Sequence, residues 1–348
     1  MEVNFQIYHY WRSLCAMKGV NMRKMKKFVT AVLLTGMLAG LCACSGGESG
    51  GGSDAKSSGG DSAAGNSGKK ICCLLQANNT FMASLREAVE AEAKTQGVSV
   101  DIFNADNDIN MQLDQIESAV ANQYDAIILV AVDSEGVAPG ARSIMDAGIP
   151  LVCMNLKVSD ESLYDVYVGS DDVDAGTILG EWAREATGGE CKIGWLHVPM
   201  GCTAQIGRTQ GITETLIDVC EGAEVVAEDD GQAQMDEGMR ITEDWLQTYP
   251  EIDIIIAEND SMGLGAMQAV LAAGKKDEIL ICGVDGDQAA VQAIIDGTYD
   301  MTVFQNAEGQ GTTAVEVAVG LINGESYDKE IVIPFEPITA ENAEDYLE

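Results

Sequence analysis

Amide and carboxylate side chains stand directly after several apolar segments of this sequence. They are Asn78 and Asn79, Asp133, Asn155, Asn259 and Asp260, Asp285, and Gln305 and Asn306. Such groups form paired hydrogen bonds with hydroxyl groups, and an aromatic ring beside them covers the apolar face of a ring-shaped ligand. The pattern predicts a binding site for a small hydroxyl-rich molecule, provided that the fold brings these segment ends together.

Composition excludes several other kinds of site. The 348 residues include 20 Lys and Arg against 56 Asp and Glu, a formal net charge of −36, so we expect no nucleic-acid partner. Two histidines, His9 and His197, leave little material for a zinc site, a catalytic triad or a histidine base. Paired carboxylates such as Asp171 and Asp172 are better explained as helix caps and hinge residues. We therefore expect a binding protein without catalytic residues, cofactor or metal.

Short apolar runs alternate with amphipathic stretches from residue 70 onward. The runs are 71–75, 98–103, 126–132, 150–154, 167–169, 192–198, 223–227, 252–257, 279–284 and 301–304. Many are apolar on both faces, which is typical of parallel strands covered by helices. The helical stretches are 81–96, 111–122, 138–146, 176–187, 210–220, 237–249, 262–273 and 288–296, and glycines suited to a left-handed C-cap end five of them.

Serial strand–helix units of this kind predict an α/β fold with right-handed crossovers. The number of runs indicates two doubly wound parallel sheets of five or six strands each. Ligands of such sheets bind outside the carboxyl ends of the strands, which is where the amide and carboxylate side chains stand.

The first 44 residues read as an export signal. Basic residues at 23–27 precede 14 uncharged residues, Phe28–Leu41, a run too short for a membrane span of ~20 residues. Leu41-Cys42-Ala43-Cys44 resembles the bacterial lipobox, which makes Cys44 the expected lipid-attachment residue; an ordinary secretory cleavage site is the alternative. Residues 1–21 precede a complete signal that starts at Met22, so they indicate a mis-assigned start codon. Residues 45–69 are Gly/Ser-rich and predict a flexible linker.

Seven cysteines follow the lipobox, at 72, 73, 153, 191, 202, 220 and 282. Seven is odd, and the spacings match no disulfide framework or zinc motif. Several of these cysteines lie inside apolar runs, where Cys behaves as a small hydrophobic residue. We expect buried free thiols.

Six local motifs together resemble one family. They are Asn78-Asn79-Thr80-Phe81, Ala147-Gly148-Ile149-Pro150, Gly169-Ser170-Asp171, Gly207-Arg208-Thr209-Gln210-Gly211, the segment 257–266, and Gly283-Val284-Asp285-Gly286. Over about residues 70–340 the chain resembles the ribose- and sugar-binding branch of type I periplasmic binding proteins, the solute-binding components of ABC importers.

This resemblance implies two lobes, joined by a three-crossing hinge, that close over one small ligand.

 The lobes would consist of residues 70–172 plus 306–335 and residues 173–305 plus 336–348. The expected partners are a small-molecule ligand such as a sugar, an ABC permease and its ATPase. The resemblance also implies a monomer on the extracytoplasmic face, held to the cell membrane only by the lipid on Cys44.

The resemblance carries a set of ligand-binding residues over by position. They are Asn79, Phe81, Met82, Asn155, Leu156, Ile206, Asn259, Asp285 and Gln305. Sugar binders of this branch often have Asp-Arg where this chain has Asn155-Leu156, and an Arg where it has Ile206. These departures remove charge-assisted donors, so a pyranose, a deoxy sugar, a polyol or a nucleoside- or autoinducer-like ligand all stay open.

Three further interpretations accompany this one. Arg208 is expected to form a salt bridge that positions its loop, and Trp195 and His197 are expected to pack in the core. Presentation of a ligand to a chemoreceptor or histidine kinase is an alternative to import. A transcriptional regulator with this sensor fold would need a basic helix-turn-helix before residue 70, where the chain instead has a signal and a Gly/Ser-rich segment.

Overall fold

The protein contains two six-stranded sheets. The structure is a computed structural model, and it describes Asn66 and residues 68–347. The predicted signal peptide, the lipobox with Cys44 and nearly all of the predicted linker lie outside these described residues. In the part of the chain that is described, no helix is long and apolar enough to cross a membrane.

The first sheet is entirely parallel. Its strand order is β11-β5-β4-β3-β1-β2, with β1 Lys70–Leu75, β2 Ser99–Asn104, β3 Ala126–Leu129, β4 Leu151–Met154, β5 Val166–Gly169 and β11 Glu330–Val332. Three of these strands, β3, β4 and β5, are buried along their whole length. Burial on both faces explains why their sequences are continuous apolar runs rather than alternating ones.

The second sheet arranges its six strands in the corresponding spatial order, but one edge strand is antiparallel. Its strand order is β12-β10-β9-β8-β6-β7, with β6 Glu190–His197, β7 Gly222–Asp230, β8 Ile254–Ala257, β9 Leu280–Asp285, β10 Met301–Phe304 and β12 Glu336–Thr339. The edge strand β12 runs antiparallel to β10, whereas the sequence predicted parallel strands throughout. Pro337 lies in β12 opposite Val303, a position that an edge strand tolerates.

Helices follow most strands of both sheets. They are α1 Thr80–Gln96, α2 Ile109–Ala121, α3 Ala138–Asp146, α4 Asp172–Thr187, α5 Thr203–Ile212, α6 Met235–Thr248, α7 Asp260–Ala272, α8 Gln288–Ile295 and α9 Ala307–Ile322. A π-helical turn, Thr213–Ile217, continues α5, and two short 3₁₀ helices span Glu161–Leu163 and Ala343–Asp345. The five glycines predicted to end helices all have left-handed φ angles, between 67° and 74°.

Two helices differ from the sequence-based expectation. The stretch predicted as a helix over 210–220 belongs to a helix that begins earlier, at Thr203. Helix α9 was not predicted, since its 16 residues include three glycines and several β-branched residues of low helix propensity. It forms because it packs closely on α1: a Cβ atom on Gly311 would lie 2.6 Å from the Cβ of Ala88.

The chain passes between the two sheets three times. The first passage joins β5 to α4 through Ser170–Asp171, the second joins β10 to α9 through Gln305–Asn306, and the third joins β11 to β12 through residues 333–335. That the two sheets belong to lobes that move relative to each other stays a prediction.

All seven cysteines among the described residues are free thiols, and six of them are buried. This confirms the expectation for the part of the chain after the lipobox. Burial raises the pKa of Cys72 and Cys153 to about 12, so these thiols are protonated at neutral pH and serve as apolar core residues.

Candidate functional site

A small cavity lies between the two sheets, at the carboxyl ends of their strands. We call it the cleft; its volume is about 30 Å³. Residues from both sheets line it: Gln76, Asn79, Phe81, Met82, Asn155, Leu156, Val198, Pro199, Cys202, Ala204, Arg208, Ala233, Asn259, Asp285 and Gln305. The fold thus brings together eight of the nine ligand-binding residues carried over in the sequence analysis.

Ile206 is the residue that the fold places elsewhere. Its side chain is 52% exposed and lines a separate cavity beside Val332. Residues four apart share a helix face, and Ala204 and Arg208 of α5 both line the cleft. Ile206 lies halfway between them in sequence and therefore points to the other side of the helix.

Two asparagines cap helices that start at the cleft. The Oδ1 atom of Asn79 accepts a hydrogen bond from the backbone N–H of Met82 at 2.9 Å, and Oδ1 of Asn259 accepts one from Met262 at 3.0 Å. These caps fix which end of each amide carries the oxygen, because a backbone N–H needs an acceptor. Within the described residues neither Nδ2 atom has a hydrogen-bond partner, so each asparagine offers its amide nitrogen as a donor.

Asn155 and Asp285 occupy equivalent positions in the two sheets, at the ends of β4 and β9. Both have positive φ angles, 62° for Asn155 and 133° for Asp285. Non-glycine residues in such conformations cost about 1–3 kcal/mol each, and they concentrate at ligand sites. Both side chains are buried, and burial together with the neighbouring Asp287 carboxyl raises the pKa of Asp285 well above its usual value.

A hydrogen-bonded chain orients the Asn155 side chain from the first sheet. Its Nδ2 donates to Oε1 of Gln310 at 3.1 Å, and Nε2 of Gln310 donates to Oγ of Ser170 at 3.1 Å. The Tyr167 hydroxyl lies 2.8 Å from the backbone carbonyl oxygens of both Asn155 and Ser170. In this arrangement Oδ1 of Asn155 has no partner among the described residues and remains available as an acceptor.

Arg208 is the buried cation of the cleft. Its Nε donates to Oδ1 of Asp172 at 3.1 Å, Nη1 donates to the carbonyl oxygen of Glu258, and Nη2 donates to Oε1 of Gln305 at 3.3 Å. The expected salt bridge is therefore present, with Asp172 as its partner. Burial raises the pKa of Asp172 to about 6, although Arg208 opposes that shift.

The bond from Arg208 also orients Gln305. A guanidinium group has donors and no acceptor, so the side-chain oxygen of Gln305 faces Arg208. In the described structure Nε2 of Gln305 has no hydrogen-bond partner and is a third available amide donor. The cleft therefore combines amide donors from Asn79, Asn259 and Gln305 with acceptors from Asn155 and Asp285, a set that complements hydroxyl groups.

Sequence reasoning missed part of the lining. Gln76 directly follows β1, is 6% exposed and has no side-chain hydrogen bond within the described residues. The apolar wall formed by residues 198, 199, 202, 204 and 233 was also missed. The position of Gln76 after a strand was the available signal for it, whereas the apolar wall carries no sequence signal because its residues resemble any core residues.

Some of the other candidates have structural roles. Asp133 accepts a hydrogen bond from the backbone N–H of Glu135 at 3.0 Å and does not line the cleft. Asp260 is fully buried and accepts bonds from the backbone N–H groups of Gly286 and Asp287 at 2.9 and 3.0 Å. It thereby holds the turn after β9 that presents Asp285. In the described part of the chain, no cluster of three or more His, Cys, Asp or Glu side chains is arranged to hold a metal ion.

Direct hydrogen bonds join the two sides of the cleft. The backbone N–H and the hydroxyl of Ser134 both donate to the carbonyl oxygen of Gly201, at 3.1 and 2.9 Å. Nδ2 of Asn107 donates to the carbonyl oxygen of Gln232 at 3.3 Å. Each contact joins a residue near the first sheet to one near the second.

Comparisons with known proteins identify similar chains. The profile of a family described as "Periplasmic binding protein domain" matches residues 73–326. A putative rhizopine-binding protein of Rhizobium meliloti is 35% identical over 77% of this chain and 89% of its own length. A xylitol-binding protein of Mycolicibacterium smegmatis is 30% identical over 78% of this chain and 77% of its own length.

A solved structure gives the same result for the fold. An ABC transporter solute binding protein from Bacillus halodurans, with bound myo-inositol, superimposes with a TM-score of 0.77 at 34% sequence identity. The match covers 83% of this chain and 99% of that one. The two-sheet α/β architecture derived from the sequence is therefore confirmed.

The buried ion pair generates a stability prediction. Replacement R208L leaves the Asp172 carboxyl buried without its cation, so we expect the free energy of unfolding to fall by about 3–5 kcal/mol. The double replacement R208L/D172L removes both charges and should recover a large part of that loss. Urea unfolding monitored by circular dichroism measures both values. A single variant as stable as the parent protein, or no recovery in the double variant, would contradict this account of the pair.

Proposed function

We propose that this chain is the solute-binding component of an ABC importer. It belongs to the periplasmic binding protein domain family, whose profile matches residues 73–326. It captures a small polyhydroxylated molecule between its two sheets and delivers that molecule to a membrane permease with its ATPase. Binding occurs without turnover of the ligand. The ABC transporter solute binding protein with bound myo-inositol, which is 34% identical to this chain and has the same fold, supports the assignment to import.

One observation carries the proposal: the polar side chains of the cleft are oriented by bonds to the protein and keep their other ends for a ligand. The side-chain oxygen of Asn259 accepts the helix-capping hydrogen bond, and that of Gln305 accepts a hydrogen bond from Arg208. A pre-oriented donor loses little side-chain entropy when it binds a hydroxyl group, which favours affinity. Groups held in this way suit recognition, since none of them is poised as a nucleophile with an adjacent base.

The cleft lining favours a ring or chain with many hydroxyl groups and one apolar face. Phe81 supplies an aromatic surface, and Met82 and Leu156 supply apolar contacts on the side of the first sheet. The relatives are named for rhizopine and xylitol, and the similar solved structure holds myo-inositol. We propose a polyol or cyclitol as the ligand class for this chain.

The permease recognises the closed arrangement of the two lobes. The two sheets, with the helices that cover them, form two lobes connected through the three passages near residues 170–171, 305–306 and 333–335. Ligand contacts from Asn79 on one lobe and Asn259 on the other favour the closed arrangement over the open one. The permease then distinguishes a loaded protein from an empty one by the relative position of the lobes.

Membrane attachment forms the second part of the proposal. We propose that export removes the segment before Cys44 and that a lipid on Cys44 anchors the protein to the extracytoplasmic face of the cell membrane. The support is the order of sequence features alone: a basic segment, an apolar segment, Leu41-Cys42-Ala43-Cys44 and a Gly/Ser-rich linker. Such a linker gives the binding domain reach toward a permease in the same membrane.

A ligand screen tests the binding function. We expect a thermal-shift screen of the purified protein against myo-inositol, xylitol, ribose, allose and a nucleoside to single out a polyol or cyclitol. At a ligand concentration near 100 times Kd the stabilisation is about 2.7 kcal/mol, which corresponds to a rise of several degrees in Tm. A shift with the nucleoside alone would contradict the ligand class, and consumption of the bound compound would contradict binding without turnover.

A pair of variants tests the cleft. Replacement N259D keeps an oxygen for the helix cap and removes the amide donor, so we expect a loss of binding free energy of about 1–3 kcal/mol. Replacement I206A changes an exposed residue outside the cleft and should leave Kd within about twofold. Isothermal titration calorimetry with the compound from the screen measures both. Unchanged affinity in N259D, or a marked loss in I206A, would mean that the ligand binds elsewhere.

A single replacement tests the anchor. In cells that express the full chain, C44A should move the protein from the membrane fraction to the soluble extracytoplasmic fraction, because acylation needs the thiol. The neighbouring replacement C42A is the matched control and should leave the protein at the membrane. Fractionation with immunoblotting reads out both, and membrane retention of C44A would contradict lipid attachment at this residue.

A further inference from the structure

A second, larger cavity adjoins the cleft. We call it the acidic chamber; its volume is about 450 Å³. Its lining comes from α1 and α9 on the side of the first sheet and from the turn after β9 on the side of the second. Phe81, Asp285 and Gln305 line both the cleft and the acidic chamber. A substituent of a molecule bound in the cleft therefore has a direct path into the chamber.

The charges that line the chamber all have the same sign. Carboxyl groups come from Glu87, Asp285, Asp287 and Glu308, and the lining includes no Lys, Arg or His residue. Glu87 and Glu308 are exposed and stand at the solvent side, whereas Asp285 and Asp287 are 6% and 8% exposed. The chamber thus becomes more buried toward the cleft while its lining stays acidic.

Asp287 is the acid of the chamber that keeps a buried oxygen without a partner in the described structure. Its Oδ2 atom is buried and has no hydrogen-bond partner in the described structure. Burial raises the pKa of Asp287 to about 6, against an opposing effect of the Thr80 hydroxyl, so the carboxyl is mostly ionised at pH 7.5. A buried, ionised oxygen without a partner is costly, and a ligand, an ion or a water molecule can supply that partner.

The neighbouring carboxyl of Asp285 adds to this cost. The two acids are two residues apart, and the Asp287 carboxyl contributes to the raised pKa of Asp285 because like charges repel. Arg208 is close enough to act on Asp285, but its three described hydrogen bonds go to Asp172, Gln305 and the Glu258 carbonyl rather than to that carboxyl group. A positive charge placed between Asp285 and Asp287 would relieve the repulsion and satisfy the free oxygen.

We propose that the acidic chamber receives a primary ammonium group carried by the ligand, so that the protein binds an amino-substituted polyol or cyclitol more tightly than the uncharged hydroxyl compound. The inference rests on the proposed function, since it places the ligand's polyol part in the cleft. An ammonium group has three donors and no acceptor, which matches a chamber whose charged groups are all acceptors. Its charge complements the carboxylates at the end nearest the cleft.

Matched ligand pairs test the proposal on the full-length mature protein. We would titrate xylitol against 1-amino-1-deoxyxylitol, and myo-inositol against its monoamino analogue, by isothermal titration calorimetry at pH 7.5 and low salt. At least one amino compound should bind about tenfold or more tightly than its hydroxyl partner, since partly desolvated charge pairs give coupling of this order or larger. Equal affinities within both pairs would overturn the amine and leave the proposed function intact.

Variants locate the effect. Replacement D287N removes the charge at nearly constant shape and should lower the affinity for the amino compound about tenfold, while the hydroxyl compound changes by less than about twofold. Replacement D277N changes an exposed aspartate outside the chamber and is the matched control. If D287N weakens both members of a pair equally, the acid supports closure in general and the ammonium site is refuted.

Two further arms keep the test decisive. Should D287N fail to fold, E308Q alters an exposed wall of the same chamber, and it should weaken binding of the amino compound alone by about two- to threefold.

Ammonium chloride and potassium chloride, added with the hydroxyl compound, distinguish a separate cation from one carried by the ligand. If either salt raises the affinity of the hydroxyl compound in the parent protein and not in D287N, the cation binds on its own and the proposal is overturned.

If no member of either pair binds, the failure belongs to the proposed function rather than to the chamber. The ligand screen makes the same distinction, because it reports any polyol that binds irrespective of charge. If the hydroxyl compounds bind and the amino compounds bind no more tightly, the ammonium site fails and the proposed function stands.

Discussion

The buried guanidinium group of Arg208 fixes the geometry on which the site depends. It joins the start of α4 through Asp172, the end of β8 through the Glu258 carbonyl, and the second passage between the sheets through Gln305. Close packing of α4 on α5 allows this, since a Cβ atom on Gly176 would lie 2.2 Å from the Arg208 carbonyl oxygen. One charged side chain therefore couples the fold of the second sheet, two passages of the chain and the orientation of a cleft amide.

The same hydrogen bonds serve folding and recognition. Asn79 and Asn259 satisfy backbone N–H groups at helix starts, and the bond that stabilises each helix also decides which amide atom is left for a ligand. Asp260 likewise holds the turn that carries Asp285 in an unusual backbone conformation. Stability and binding are thus difficult to separate by truncation to alanine, and replacements that keep one hydrogen bond while removing the other are the informative ones.

Buried acids set the electrostatic character of the region. Asp172 is compensated by Arg208 and Asp260 by backbone and hydroxyl donors, whereas Asp287 keeps an oxygen with no partner in the described structure. The difference lies in burial rather than in composition, because the chain is rich in acids and most of those in the described residues are not buried. Only burial makes the missing partner of Asp287 costly, and burial was not visible in the sequence.

Local patterns determined the strand–helix alternation, the glycine C-caps and the strand-end positions of Asn79, Asn155, Asn259, Asp285 and Gln305, because periodicity and turn chemistry act over a few residues. Tertiary structure decided the rest. The start of α5 at Thr203 sets the helical phase that turns Arg208 into the cleft and Ile206 out of it. Helix α9 and strands β11 and β12 form through contacts with distant segments, such as α1 and β10. Amide orientation and the unpaired oxygen of Asp287 depend on neighbours remote in sequence, which no local pattern encodes.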